Sequence, residues 1–137
     1  MNLLKKNINV LYWIAMAGLV FWFAYSKGWI LAHFESIDAK QAIILLENDE
    51  NTTLLDVRTI QEYKKGHLPD ATLIPVQALD KNLGMLKQDK NKKIIVYCAT
   101  GSRSVSASRI LEKNGFTPLN VEGGIIQLVG AGAQLVK

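Results

Sequence analysis

The longest apolar segment of the chain lies near its N-terminus. Twenty residues without a charged side chain separate Lys6 from Lys27, and the segment from Val10 to Tyr25 is almost entirely apolar. A helix of this length spans roughly 30 Å, which is the thickness of the hydrocarbon core of a bilayer. Aromatic side chains stand toward both ends, as is typical of membrane interfaces. The pattern predicts one transmembrane anchor within residues 1–31.

A cleaved signal peptide and a core helix of a soluble protein are two other interpretations of this segment. A cleaved signal peptide would use the basic pair Lys5-Lys6 and the small residues of Ala24-Tyr25-Ser26 as its cleavage site. The apolar character continues to Leu31, which favours a retained anchor. A core helix of a soluble protein does not suit so small a chain, since it is apolar on every side. The basic N-terminal flank predicts a domain outside the cytoplasm, which is the periplasm in a Gram-negative bacterium.

After Phe34 the chain alternates short apolar runs with amphipathic stretches. The runs predict strands over 53–57, 72–74, 93–97 and 118–121. The stretches predict helices over 39–48, 76–87, about 102–114 and 125–129, with a brief helix after a Thr59-to-Glu62 capping box. This alternation predicts an α/β domain over residues 34–137, with a small parallel sheet covered by helices on both faces.

The charge of the chain serves only to exclude one class of partner. The formal net charge is +4, but Lys5, Lys6 and Lys27 account for three of these charges. From residue 28 onward, 13 basic side chains nearly balance 12 acidic ones. Such a balance argues against nucleic acid as a partner. The single cysteine and two distant histidines have no metal-ligand spacing, so no metal site is expected, and the reaction considered below needs no cofactor.

The single cysteine, Cys98, stands where the strand 93–97 passes into a helix. The following residues are small, and Gly101 allows a tight loop whose backbone N–H groups can surround an anion. Arg103 adds a positive charge. These features favour the thiolate form of Cys98, which is the nucleophilic form, over the alternative of an inert buried cysteine. Asp56 and Arg58 also stand at a strand end, where functional groups of parallel sheets gather.

Several short motifs follow one another along the chain after residue 34. They are Asp56-Val57-Arg58, Glu62-Tyr63, Gly66-His67-Leu68-Pro69, Ile74-Pro75, Ile95-Val96-Tyr97-Cys98, Gly101-Ser102-Arg103, Gly115-Phe116 and Gly123-Gly124-Ile125. In order and spacing they resemble the motifs of single-domain rhodaneses over residues 34–137. The resemblance implies a rhodanese-like fold and a sulfurtransferase activity. Asp70 stands where the family usually has glycine, which a residue tolerant of the left-handed conformation can accommodate.

The resemblance also implies roles for individual residues. Cys98 would be the catalytic, sulfur-carrying nucleophile. The substrate cradle would comprise Ala99, Thr100, Gly101, Ser102 and Arg103. Structural support would come from Asp56, from a charge pair between Arg58 and Glu62, and from the turn histidine His67.

The implied reaction moves sulfane sulfur from thiosulfate or a persulfide to a thiol, or to cyanide in vitro, through a persulfide on Cys98. Related phosphatases place five residues between cysteine and arginine, whereas four separate Cys98 from Arg103 here, which favours sulfur over phosphate. A catalytically idle binding module at the membrane is the alternative. The soluble domain is expected to be monomeric.

Overall fold

The computed structural model describes residues 2–27, 29 and 33–137. The strands are β1 (Glu35–Ile37), β2 (Thr52–Asp56), β3 (Thr72–Leu73), β4 (Lys93–Tyr97) and β5 (Thr117–Val121). The helices are α1 (Asn2–Ser26), α2 (Ala39–Asn48), α3 (Ile60–Lys65), α4 (Val76–Leu79), α5 (Ser102–Lys113) and α6 (Gly124–Gly130), with a 3₁₀ helix over Leu83–Asp89.

The described strands form one parallel sheet in the order β1-β5-β4-β2-β3. The central strand β4 pairs with β2 on one side and β5 on the other. Its side chains alternate between the two faces, so Ile95 and Tyr97 pack into one core while Ile94 and Val96 pack into the other. Cys98 continues this alternation on the face of Ile94 and Val96. The predicted α/β architecture is confirmed.

Two elements of the structure differ from the prediction. The helix expected over 76–87 ends at Leu79 and is followed by a turn and the 3₁₀ helix. Asn82 and Gly84 lie at this break, and both residue types lower helical propensity. The edge strand β1 was not predicted, because three residues are too few for an alternating pattern to be recognised.

The C-terminal tail closes back onto the turn that follows α3. Backbone hydrogen bonds join His67 N–H to Val136 O at 2.9 Å and Val136 N–H to His67 O at 2.8 Å. In the same turn Asp70 adopts a φ of 64°, so the left-handed conformation expected at this position is confirmed.

Helix α1 is the one helix among the described residues that is long and apolar enough to cross a membrane. None of its residues is buried. Its C-terminal end contacts α5, where the Arg109 guanidinium lies 3.7 Å from the centre of the Tyr25 ring and donates a 2.6 Å hydrogen bond to Tyr25 O. The predicted boundary near residue 31 falls outside the described residues.

Candidate active site

Cys98 lies between the end of β4 and the start of α5. The residue is 1% exposed, and the Gly101 N–H donates a 3.0 Å hydrogen bond to its Sγ. Gly101 caps α5 with a φ of 106°, a conformation that residues with a Cβ rarely adopt. The thiol lies 3.6 Å from Ser104 Oγ, which donates to Gly101 O at 3.1 Å. The loop thus turns a backbone donor toward the sulfur, as its glycine predicted.

The first turn of α5 adds to the positive potential at this loop. N–H groups in the first turn of an α-helix have no acceptor within the helix and carry a partial positive charge. In the predicted cradle Ala99 is half-buried and Thr100 is exposed, while Gly101 is buried. The loop can therefore stabilise a thiolate at Cys98 and an anion beside it.

Arg103 is held by a carboxylate from another part of the chain. Its two terminal nitrogens donate to Glu62 Oε1 at 2.6 Å and to Oε2 at 2.9 Å. The hydrogen bonds from Arg103 lower the pKa of the Glu62 carboxyl to about 2, with a further contribution from Thr59. The same hydrogen bonds raise the pKa of Arg103. Both side chains therefore remain charged across the physiological pH range.

Glu62 also completes the capping box of α3. Its Oε1 accepts hydrogen bonds from Thr59 N–H at 3.3 Å and Thr59 Oγ1 at 3.1 Å, while Thr59 Oγ1 accepts from Glu62 N–H at 3.2 Å. The predicted capping box is confirmed. One carboxylate thus fixes both the first turn of α3 and the arginine of the cradle.

The predicted charge pair between Arg58 and Glu62 is wrong. Arg58 instead pairs with Asp56 at 2.7 Å, and both residues are buried, with Asp56 at 0% exposure. Arg58 Nη2 also donates to Gly66 O at 2.7 Å. Residues i and i+2 of an extended chain point to the same side, which places the Arg58 side chain beside Asp56. Asp56 stands opposite Tyr97 in the β2–β4 pairing, at the ends of the two strands.

Tyr97 borders this buried pair. The Arg58 guanidinium lies 5.5 Å from the centre of the Tyr97 ring, and the Tyr97 hydroxyl accepts a 3.1 Å hydrogen bond from Leu68 N–H. Burial and the nearby Asp56 carboxylate raise the pKa of Tyr97. Tyr97 therefore stays neutral and connects β4 to the turn after α3.

His67 contacts its own turn. Its ring stacks on Tyr63 with centroids 3.6 Å apart, and its Nδ1 lies 2.9 Å from Tyr63 O. Its backbone pairs with Val136. These contacts agree with a supporting role for His67.

Two features near Cys98 were not anticipated from the sequence. A Cβ on Gly124 would lie 2.5 Å from both Cys98 O and Ala99 O, and the Ile125 N–H donates to Cys98 O at 2.8 Å. The start of α6 therefore supports the cysteine loop, which comprises residues 98–101 between β4 and α5. The glycine pair 123–124 predicted only a turn. Lys27 Nζ, 75 residues away in sequence, donates to Ser102 Oγ at 3.3 Å. No sequence pattern indicates a contact over such a separation.

Other candidate sites lie away from the cysteine. The described residues contain no group of three or more histidine, cysteine, aspartate or glutamate side chains that could hold a metal ion. A groove of about 660 Å³ lies between α2, the start of β2 and the turn at Leu68-Pro69-Asp70. Its floor is apolar, and its rim carries Glu47 and Glu50. Cys98 does not line this groove.

Comparisons with known proteins agree with this geometry. A Staphylococcus aureus rhodanese-like domain protein of known structure is 32% identical, with a TM-score of 0.67 over 76% of this chain and 100% of that chain. YrkF of Bacillus subtilis, named as a candidate sulfur carrier protein, is 36% identical over 86 residues. That match covers 62% of this chain and 45% of YrkF.

A tRNA uridine(34) hydroxylase of Buchnera aphidicola is 38% identical over 98 residues, which cover 68% of this chain and 31% of that enzyme. The chain thus matches less than half the length of these two curated relatives. The sequence profile of the rhodanese-like domain matches residues 38–130. With the parallel sheet, the cysteine at the end of β4 and the glycine-capped helix after it, this match shows that the chain belongs to the rhodanese-like domain family.

Proposed function

We propose that the protein is a sulfurtransferase that carries sulfane sulfur on Cys98. The observation that carries this proposal is the 3.0 Å hydrogen bond from Gly101 N–H to Cys98 Sγ at the start of α5. A backbone donor and a helix N-terminus favour a charged sulfur at this position, and they do so for a thiolate and for a persulfide alike. The YrkF name, which refers to sulfur carriage, supports the same chemistry.

The reaction has two steps. The Cys98 thiolate attacks the outer sulfur of thiosulfate, so that a Cys98 S–S bond forms and the bond to the sulfonate sulfur breaks, with sulfite as the leaving group. A thiolate acceptor then attacks the terminal sulfur of the Cys98 persulfide. The acceptor leaves as a persulfide, and the Cys98 thiolate is restored. A low-molecular-weight persulfide can replace thiosulfate, with its thiolate as the leaving group.

The residues around Cys98 serve this cycle in different ways. The backbone N–H groups of the loop 99–103 hold the donor anion and the developing charge. Glu62 orients Arg103 through two hydrogen bonds, which join the first turn of α5 to α3. Asp56 and Arg58 join the end of β2 to the turn after α3 through the hydrogen bond from Arg58 to Gly66 O. The cycle needs no metal or cofactor.

Sulfur loading of the full chain in detergent micelles tests this proposal. Incubation with thiosulfate is expected to add the mass of one sulfur atom to the Cys98 peptide, and cyanide is expected to remove it as thiocyanate. Cys98→Ser is the control and should gain no sulfur, because it lacks the thiolate. If the native chain gains no sulfur from thiosulfate or from a persulfide donor, the proposal is wrong.

The groove near α2 favours a second candidate function, a protein-binding module without catalysis. Its apolar floor and the acidic side chains of Glu47 and Glu50 suit a basic, partly apolar peptide. Failure of sulfur loading with an intact fold would support this candidate.

We further propose that α1 anchors the domain to a membrane with the domain outside the cytoplasm. The 25 residues of α1 have no buried side chain in the described structure, and Lys5 and Lys6 lie at the end expected on the cytoplasmic side. The domain would span residues 34–137 and the anchor residues 1–31.

The topology is tested by fusing reporters after Lys137. Alkaline phosphatase, which folds only outside the cytoplasm, is expected to be active, whereas a green fluorescent protein exported through the same route is expected to stay dark. The opposite pattern would place the domain in the cytoplasm. Recovery of the full-length chain in the soluble fraction would contradict the anchor itself.

A further inference from the structure

The charge of Arg103 is already compensated within the protein. Its Nη1 donates to Glu62 Oε1 at 2.6 Å, and its Nη2 donates to Glu62 Oε2 at 2.9 Å. With Cys98 as a thiolate, the group formed by Cys98, Arg103 and Glu62 has a net charge of −1. Thiosulfate is a dianion, so this group alone repels it. The backbone N–H groups of the loop 99–103 attract the donor, and a further cation near the start of α5 would strengthen its binding.

Lys27 is a cation that lies beside the first residue of α5. Its Nζ donates a 3.3 Å hydrogen bond to the hydroxyl of Ser102, the first residue of α5 and the neighbour of Gly101. Within residues 2–27, 29 and 33–137, no carboxylate forms a salt bridge with Lys27, whose other close contact is the Phe23 ring at 5.9 Å. Its positive charge is therefore available to a bound anion.

The end of α1 is held in this position by a separate contact. Arg109 stacks on the Tyr25 ring at 3.7 Å and donates to Tyr25 O at 2.6 Å. Arg109 belongs to the same helix α5 that begins at the cysteine loop. Two independent contacts along α5, one near its start and one further along, thus join the segment around Lys27 to the helix that caps the loop.

From these contacts we propose that Lys27 binds the negatively charged end of the sulfur donor and is a specificity-determining residue for anionic donors. The proposal deepens the sulfurtransferase function and rests on it for the identity of the ligand. The ammonium group replaces its hydrogen bond to Ser102, or shares it, when it contacts a donor oxygen. Lys27, the residue that follows α1, therefore adds a full positive charge beside the backbone N–H groups of the loop.

Alkylation of Cys98 tests this role without any sulfur transfer. Iodoacetate is an anion and iodoacetamide is neutral, so the ratio of their reaction rates with Cys98 reports the local positive charge. In the full chain in neutral detergent micelles, Lys27→Gln is expected to lower this ratio about three- to tenfold, as the loss of one nearby charge predicts. Lys27→Arg should restore the ratio, and Lys113→Gln, at the far end of α5, should leave it unchanged.

An unchanged ratio in Lys27→Gln would overturn the proposal. A ratio that falls equally in Lys113→Gln would also overturn it, because the effect would then be one of general charge. If the chain shows thiosulfate turnover, Lys27→Gln is expected to raise KM for thiosulfate rather than lower kcat. If Cys98 gains no sulfur while the alkylation ratio still falls, the sulfurtransferase function is wrong and the anion subsite stands.

Discussion

Replacing Asp56 with alanine is expected to lower the free energy of unfolding by about 3–5 kcal/mol, because it leaves the buried Arg58 guanidinium without its counter-charge. Asp56 is fully buried and accepts hydrogen bonds from Arg58 N–H, Nε and Nη2 at 2.7–3.1 Å. Within the described residues, the Arg58 side chain would keep its hydrogen bond to Gly66 O.

Urea unfolding of the full chain in detergent micelles, followed by circular dichroism, measures this loss. Tryptophan fluorescence is unsuitable, since all three tryptophans precede the domain. Asp89→Ala is the matched control: its carboxylate forms a partly exposed pair with Lys92 at 3.6 Å, so about 1 kcal/mol or less is expected. The double variant Asp56→Leu with Arg58→Leu should recover much of the loss. Equal losses for Asp56→Ala and Asp89→Ala would contradict the prediction.

Replacing Gly124 with alanine is expected to destabilise the domain by more than about 2 kcal/mol and to displace the cysteine loop. Its φ is 63°, and the added Cβ would meet the carbonyl oxygens of Cys98 and Ala99 at 2.5 Å. Since both oxygens belong to the backbone, the steric clash with the added Cβ can be relieved only if the loop after Cys98 or α6 moves. Sulfur loading of Cys98 should therefore fall by more than tenfold, because the Gly101 N–H would no longer be aligned with Sγ.

Gly132 offers a matched control for this variant. It also has a positive φ, 107°, but a Cβ there would meet nothing within 4 Å. Gly132→Ala should therefore show the conformational cost alone, about 1 kcal/mol, and normal sulfur loading. If the two alanine variants have the same stability and the same loading rate, α6 does not support the loop in the way described.

The sequence predicted those features of the site that arise from neighbouring residues. The capping box from Thr59 to Glu62 and the glycine loop after Cys98 depend on residues three apart, so their chemistry is visible in the chain. The apolar runs predicted β2, β4 and β5 because these strands contain buried apolar residues, and they also predicted the half-buried strand β3. These features need no knowledge of the tertiary fold.

The pairing of the charged side chains was not predictable in the same way. Arg58 has carboxylates two and four residues away, and only the extended backbone at the end of β2 selects Asp56 over Glu62. The partner of Glu62 is then Arg103, which is 41 residues further along. The sequence motif predicted which side chains are charged, but the pairing depends on how β2 and β4 are aligned.

The buried thiol of Cys98 has a consequence for oxidative damage. The chain contains one cysteine, so a sulfenic acid formed at Cys98 by peroxide has no second thiol within the chain with which to form a disulfide. Recovery then depends on an external reductant small enough to reach a residue that is 1% exposed. The same shielding that limits access by peroxide to Cys98 also slows the repair of the oxidised side chain.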